Sequence, residues 1–339
     1  MTRATLLALA LCSMSLIGCS GGAKPSGEAG SAKGGSSAAE SKPFKVALLT
    51  PGPISDAGWN SMAYEGLTAI KEELGAEVSN QEALDAKITD AMTSYGQEGY
   101  NLVIGHGFEY NEPGAEVAPD FPKTVFVSSS GAKSTDNSGA IRFYLEQGFY
   151  LAGAAAALTS KTGTIAMIGG PDVPSIRSTF KAFKAGAEAA KPGIKVQEVF
   201  TGDGQDVAKA KQAALTSIGA GADVLIHQAN AAAQGVFDAA KEKGVLAIGA
   251  NLDQNGNESN SVYCSAIIKA KPAFLALAKE VKDGAYKGKV SLFGMKEGAI
   301  DFVWNEGLAD RAPEAAKTKV EELKAKILDG SLTVPKDEF

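Results

Sequence analysis

The chain has 339 residues, 45% of them hydrophobic and 21% charged, with a formal net charge of −6. That balance is ordinary for a globular protein. Its acidic sign argues against a nucleic-acid partner and against electrostatic attraction to an anionic membrane.

The N-terminus carries the first signal. Arg3 gives a short positive start, and residues 4–17 are apolar apart from Thr5, Ser13 and Ser15. This is the layout of an export signal, and the run is shorter than the ~20 apolar residues of a spanning helix. Its ending, Leu16-Ile17-Gly18-Cys19, resembles the lipobox of bacterial lipoproteins. That resemblance implies that residues 1–19 are a lipoprotein signal peptide and that Cys19 becomes the lipidated first residue of the mature chain. Residues 20–42 are small and polar, with no aliphatic side chain larger than Ala. Such a segment cannot bury enough apolar surface to offset the entropy of ordering it. It reads as a flexible linker, its ends on the order of 25–30 Å apart. Cys12 leaves with the signal and Cys19 takes the lipid, so Cys264 stands alone and no internal disulfide is available. Cys264 is expected to be buried and inert.

The body spans residues 43–339, about 300 residues, a length that suggests two domains. Residues 45–50 (KVALLT) predict a buried strand, 62–74 and 88–98 helices, 101–104 (NLVI) and 124–127 (TVFV) strands. A helix over 146–158 crosses to a second half with the same order. There, strands are predicted at 163–168, 194–200, 223–226 and 245–248, with helices at 179–190, 206–218 and 232–242. The internal parallel is specific: YNLVIGHG (100–107) matches ADVLIHQA (222–229), and TVFVSSS (124–130) matches VLAIGAN (245–251). Short β-branched runs alternating with helices predict parallel sheets covered on both faces. The fold class is therefore α/β, two doubly wound Rossmann-like lobes joined by a multi-strand hinge. After Asn251, the segment 262–268 and a helix over 271–282 are expected to return to the first lobe. Lobe 1 is assigned residues 43–145 and 265–295, and lobe 2 residues 146–264 and 296–339. The last helix, 313–328, places Ala316, Val320, Leu323 and Ile327 on one packing face.

In such sheets, ligands bind at the carboxyl ends of the strands. The residues collected there are Trp59, Asn60, His106, Phe108, Ser128, His227, Asn230, Asn251 and Asp253. Asp56 or Ser55 can cap the helix that follows. Trp59 either stacks on a planar ligand or packs into the hinge, and Phe108 is a candidate for the second face. Asn60 offers both donor and acceptor to a base edge. His106 and His227 fall at equivalent positions, one per lobe. They either hydrogen-bond a ligand or a loop, or form half of a metal site or a hydrolytic pair. No GxSxG, P-loop, HExxH or GxGxxG after the first strand is present, and no cofactor is expected.

Residues 55–60 (SDAGWN), 221–254 (GADVLIHQANAAAQGVFDAAKEKGVLAIGANLDQ) and 329–335 (DGSLTVP) resemble the basic membrane protein (BMP) family. These are substrate-binding lipoproteins of ABC importers with the type I periplasmic-binding fold, and the likeness covers nearly all of 44–335. It implies a small-molecule solute, permease and ATPase partners, an extracytoplasmic lipid-anchored location and no catalysis. A monomer is expected. The family's best-known members bind purine nucleosides, and a related branch binds purine bases. The resemblance assigns the stacking aromatic to Trp59 with Asn60 beside it, an acid to Asp253, and a Ser-x-x-x-Lys pair to Ser265 and Lys269. Other family positions differ: Asn251, Pro51 and Ser128–Ser130 stand where it has acids, and Gly204 where it has a second aromatic. Fewer carboxylates imply a ligand with fewer hydroxyls, or one read by amides and histidine. Alternative functions are a sensor that presents its closed form to a receptor, a lipid-anchored hydrolase using His106 or His227, and a sugar binder of the same fold.

Overall fold

A computed structural model of the chain describes residues 42–56 and 58–338. The expected signal, Cys19 and all of the linker except Lys42 lie outside them. The first lobe is built from β1 (Lys45–Thr50), α1 (Trp59–Leu74), β2 (Glu77–Glu82), α2 (Lys87–Gln97), β3 (Leu102–Gly105), α3 (Asn111–Val117), β4 (Val125–Ser128) and β5 (Ser138–Phe143). The chain then enters α4 (Glu146–Thr159) and forms β6 (Thr164–Gly169), α5 (Pro174–Ala190), β7 (Lys195–Phe200), α6 (Val207–Gly219), β8 (Val224–Gln228), α7 (Ala233–Lys243), β9 (Leu246–Asn251) and β10 (Val262–Ile268). It returns through α8 (Ala270–Lys282) and β11 (Val290–Phe293), and ends in β12 (Ile300–Trp304) and α9 (Glu314–Asp329).

Among the described residues there are two six-stranded sheets, ordered β11-β5-β4-β3-β1-β2 and β12-β10-β9-β8-β6-β7. Every pairing is parallel except β10 with β12. The two halves thus share one winding, as the sequence parallel predicts. The strand Val262–Ile268 corrects one expectation: it lies in the second sheet, not the first. All seven of its residues are buried, because it runs between β9 and β12 rather than at an edge. The return to the first sheet begins with α8, which packs on α1.

Four strands lack a sequence expectation: β5 lies inside the first sheet with every residue buried, and the other three sit at sheet edges. β2 (EVSNQE) and β11 (VSLF) are largely exposed, and β12 closes the second sheet antiparallel. Edge strands lack the two-sided burial that writes an apolar run into a sequence. The chain crosses between the sheets at 144–145, at Lys269 and at 294–299. Near these crossings the C-terminal segment is tied down. The Tyr144 hydroxyl donates to the Val334 carbonyl, and the Asp337 N–H donates to Ser178 Oγ at 2.9 Å.

Candidate ligand cleft

The strand ends of both sheets face one cavity of about 540 Å³. Pro51, Phe108, Ser129 and Ser130 come from the first lobe, and Pro171, Gly204, Gln228 and Asn230 from the second. The volume lies within the ~300–1,000 Å³ usual for small-molecule sites.

Trp59 opens α1, and its placement starts with Asp56. That carboxylate accepts the N–H groups of Gly58, Asn60 and Ser61 at 3.0, 2.9 and 3.0 Å, which satisfies donors a helix start leaves orphaned. Trp59 is half-buried and lines the cavity. Its indole stacks on the His106 ring with centroids 3.9 Å apart. The contact is reinforced twice: Trp59 Nε1–H donates to the His106 carbonyl at 3.2 Å, and His106 Nε2–H donates to the Trp59 carbonyl at 2.9 Å. His106 itself is fully buried and does not line the cavity. It is the base on which the indole rests.

His227 is also buried, in its own lobe. Its Nε2–H donates to Gln254 Oε1 at 2.8 Å, and its Nδ1 accepts the Ala229 N–H at 3.4 Å. Gln254 Oε1 also accepts the Ala250 N–H, so His227 ties the end of β8 to the loop after β9. Among the described residues, no group of three or more His, Cys, Asp or Glu is placed to hold a metal ion. Burial pushes both imidazoles down, His106 to about 3 and His227 to about 4 from 6.5, although each donates a hydrogen bond that favours its proton. Because the folded values lie below the unfolded one, the unfolded chain takes up protons first as pH falls. The stability from the neutral rings is complete above about pH 6.5 and is lost on acidification toward the folded values. Urea midpoints are expected to fall steadily from pH 6.5 to 5, and less steeply in a His106→Gln/His227→Gln variant. Identical profiles would contradict burial of the neutral rings.

Of the expected site residues, Trp59, Phe108 and Asn230 line the cleft, while Asp56, Asn60, His106, Ser128, His227, Asn251, Asp253 and Lys269 do not. Asn60 is buried beneath the α1 start, its Nδ2–H directed to the Pro53 carbonyl at 3.4 Å. Ser128 Oγ donates to the Ser130 carbonyl and shapes that turn. Asn251 is buried with a left-handed φ of 72°, a conformation Asn tolerates. Asp253 is exposed and accepts the Asn255 N–H. Ser265 is buried and bonded to the 254–255 loop, whereas Lys269 is exposed and pairs with Asp301 at 2.8 Å.

Polar residues without a site expectation also line the cavity, among them Asp85, Glu109, Arg142, Glu146, Ser175 and Gln205. The cleft therefore has carboxylates of its own, at positions other than those the resemblance assigned. Glu109 keeps contact with solvent, but the surrounding protein removes much of its hydration and raises its carboxyl. A usable signal existed for Arg142 and Glu146: two opposite charges four residues apart in an otherwise uncharged stretch, 138–159.

With this geometry in place, the likenesses to known proteins can be set beside it. The family described as "ABC transporter substrate-binding protein PnrA-like" matches residues 44–338. A nucleoside-binding protein of an ABC transporter from Lactococcus lactis subsp. cremoris is 31% identical, covering 86% of this chain and 89% of its own. A purine-binding protein of Brucella abortus is 28% identical over 90% of this chain and 86% of its own. An ABC transporter solute-binding protein from Aeropyrum pernix has the same fold, with a TM-score of 0.73 at 23% identity over 87% of this chain and 94% of that one.

Proposed function

Because this chain belongs to the Bmp family of ABC transporter substrate-binding proteins, which work outside the cytoplasm, we propose that it captures a purine nucleoside or nucleobase in the cleft and hands it to a permease–ATPase complex without altering it. The observation that carries this reading is the cavity itself, walled by both sheets and flanked by an indole held flat against His106. A planar ring laid on Trp59 gains stacking energy of about 1–3 kcal/mol. Polar groups of the second lobe, such as Gln228 and Asn230, then grip its edge. A ligand that touches both lobes binds the shut form more tightly than the open one, and that difference drives closure. The nucleoside-binding and purine-binding relatives support the choice of ligand class. Lipidation at Cys19 tethers the body to the membrane, and the protein acts as a monomer.

Isothermal titration against purine bases, purine nucleosides, sugars and amino acids tests the reading. Micromolar binding of at least one purine, about −8 kcal/mol, is the expected result. Binding confined to a sugar or an amino acid would overturn it.

A further inference from the structure

We propose that the buried Arg142–Glu146 pair reads the edge of the bound base, and that it selects a base with a carbonyl beside a ring N–H over the amino counterpart. The proposal rests on the purine reading above and names the chemistry of its ligand more narrowly.

Arg142 stands near the end of β5, and Glu146 is the first residue of α4. Their side chains are only 5% and 2% exposed, yet both line the cavity. The carboxylate is used on one side. Glu146 Oε1 accepts from Arg142 Nη2 at 2.9 Å and from Ser178 Oγ at 2.5 Å, whereas Oε2 makes no hydrogen bond among the described residues. An ionised carboxylate has about four acceptor sites, so Oε2 keeps acceptor capacity for a ligand. A ligand N–H is the group that suits it.

A second observation points the same way. Ser129 Oγ is buried, lines the same cavity and has no hydrogen-bond partner among the described residues. Ser128 lies opposite Ala140 in the β4–β5 register, so Ser129 and Arg142 emerge from neighbouring strand ends. This wall therefore offers one acceptor, Glu146, and donors from the Ser129 hydroxyl and the Arg142 guanidinium. A lactam edge matches that set: its N–H meets the carboxylate, and its carbonyl takes a donor. An aminopurine presents a ring nitrogen lone pair where the N–H should be, so two acceptors oppose each other. The guanidinium, which also lies 3.4 Å from Glu338 Oε2, offsets the charge of the Glu146 carboxylate beside it. Sites built around a hydrogen bond reject analogues lacking it far more strongly than apolar pockets reject a methylene.

Titration of the unmodified protein with inosine, 1-methylinosine and adenosine tests the proposal without any substitution. Inosine is expected to bind at least roughly tenfold more tightly than either of the others. An Arg142→Met/Glu146→Met variant, which removes the pair without stranding a charge, is expected to bring the inosine-to-adenosine ratio within about threefold. Equal affinity for inosine and adenosine, or for inosine and its 1-methyl form, overturns the proposal and leaves the purine reading standing. A folded double variant that keeps the full preference also overturns it. No binding of any purine, with binding of a sugar or an amino acid instead, overturns both.

Discussion

Replacing Trp59 by alanine is expected to weaken ligand binding by roughly ten- to a hundredfold, the equivalent of about 1.4–2.8 kcal/mol. The size follows from base–aromatic stacking of about 1–3 kcal/mol, lost in a cavity where water replaces the indole. The indole is held in place at low entropic cost to binding, because His106 backs it at 3.9 Å and two hydrogen bonds fix the pair. Trp59→Phe retains a flat face and is expected to recover most of the affinity. The protein has two tryptophans, and Trp304 sits in β12, so a Trp304→Phe background makes Trp59 a direct fluorescence reporter. Purine binding should then change its emission. Unaltered affinity in Trp59→Ala would assign the indole to packing on His106 and remove stacking from the reading.

Gly186→Ala is expected to destabilise the fold by about 1–2 kcal/mol, the net of overpacking and helix propensity. Helices α4 and α5 pack in close contact, and a Cβ built on Gly186 would lie 2.0 Å from the Tyr150 carbonyl oxygen. Gly153, its counterpart on α4, would place a Cβ 2.0 Å from the Phe183 carbonyl oxygen. Both obstacles are main chain, which cannot swing aside as a side chain would. Overpacking of this kind costs about 1–3 kcal/mol and occasionally more. It outweighs the gain of about 1 kcal/mol from replacing Gly by Ala within a helix. Gly219→Ala is the control, since nothing lies within 4 Å of its Cβ position, and it should be neutral or slightly stabilising. Urea denaturation of the three proteins measures the difference. Equal stability of Gly186→Ala and wild type would refute the close approach. Because α4 starts at Glu146 in the cleft wall, the folded fraction of Gly186→Ala is also expected to bind more weakly.

Much of the architecture could be read from local pattern alone. The buried runs KVALLT, NLVI, TVFV and DVLI, each bounded by a helix and a polar strand end, determined the α/β class and the repeated halves. A parallel strand covered on both faces carries its burial in a continuous apolar run. Membership of both Trp59 and Asn230 in the cleft was legible for the same reason, since ligand sites lie at the carboxyl ends of such strands. Tertiary structure alone decided which strand-end side chains reach the cavity. His106 and His227 occupy strand ends as expected, yet each is buried within its own lobe, because tertiary packing decides whether a strand-end side chain projects into the cleft or folds back beneath it. Tertiary structure also placed Val262–Ile268 in the second sheet, a long-range pairing that its own apolar sequence does not distinguish. It brought Arg142, Glu146 and Ser129 to one wall from separate parts of the chain, with Ser178 bonded to Glu146 from behind. Burial period is a property of neighbouring residues, whereas convergence of distant charges depends on how the whole chain closes, and no local pattern records that.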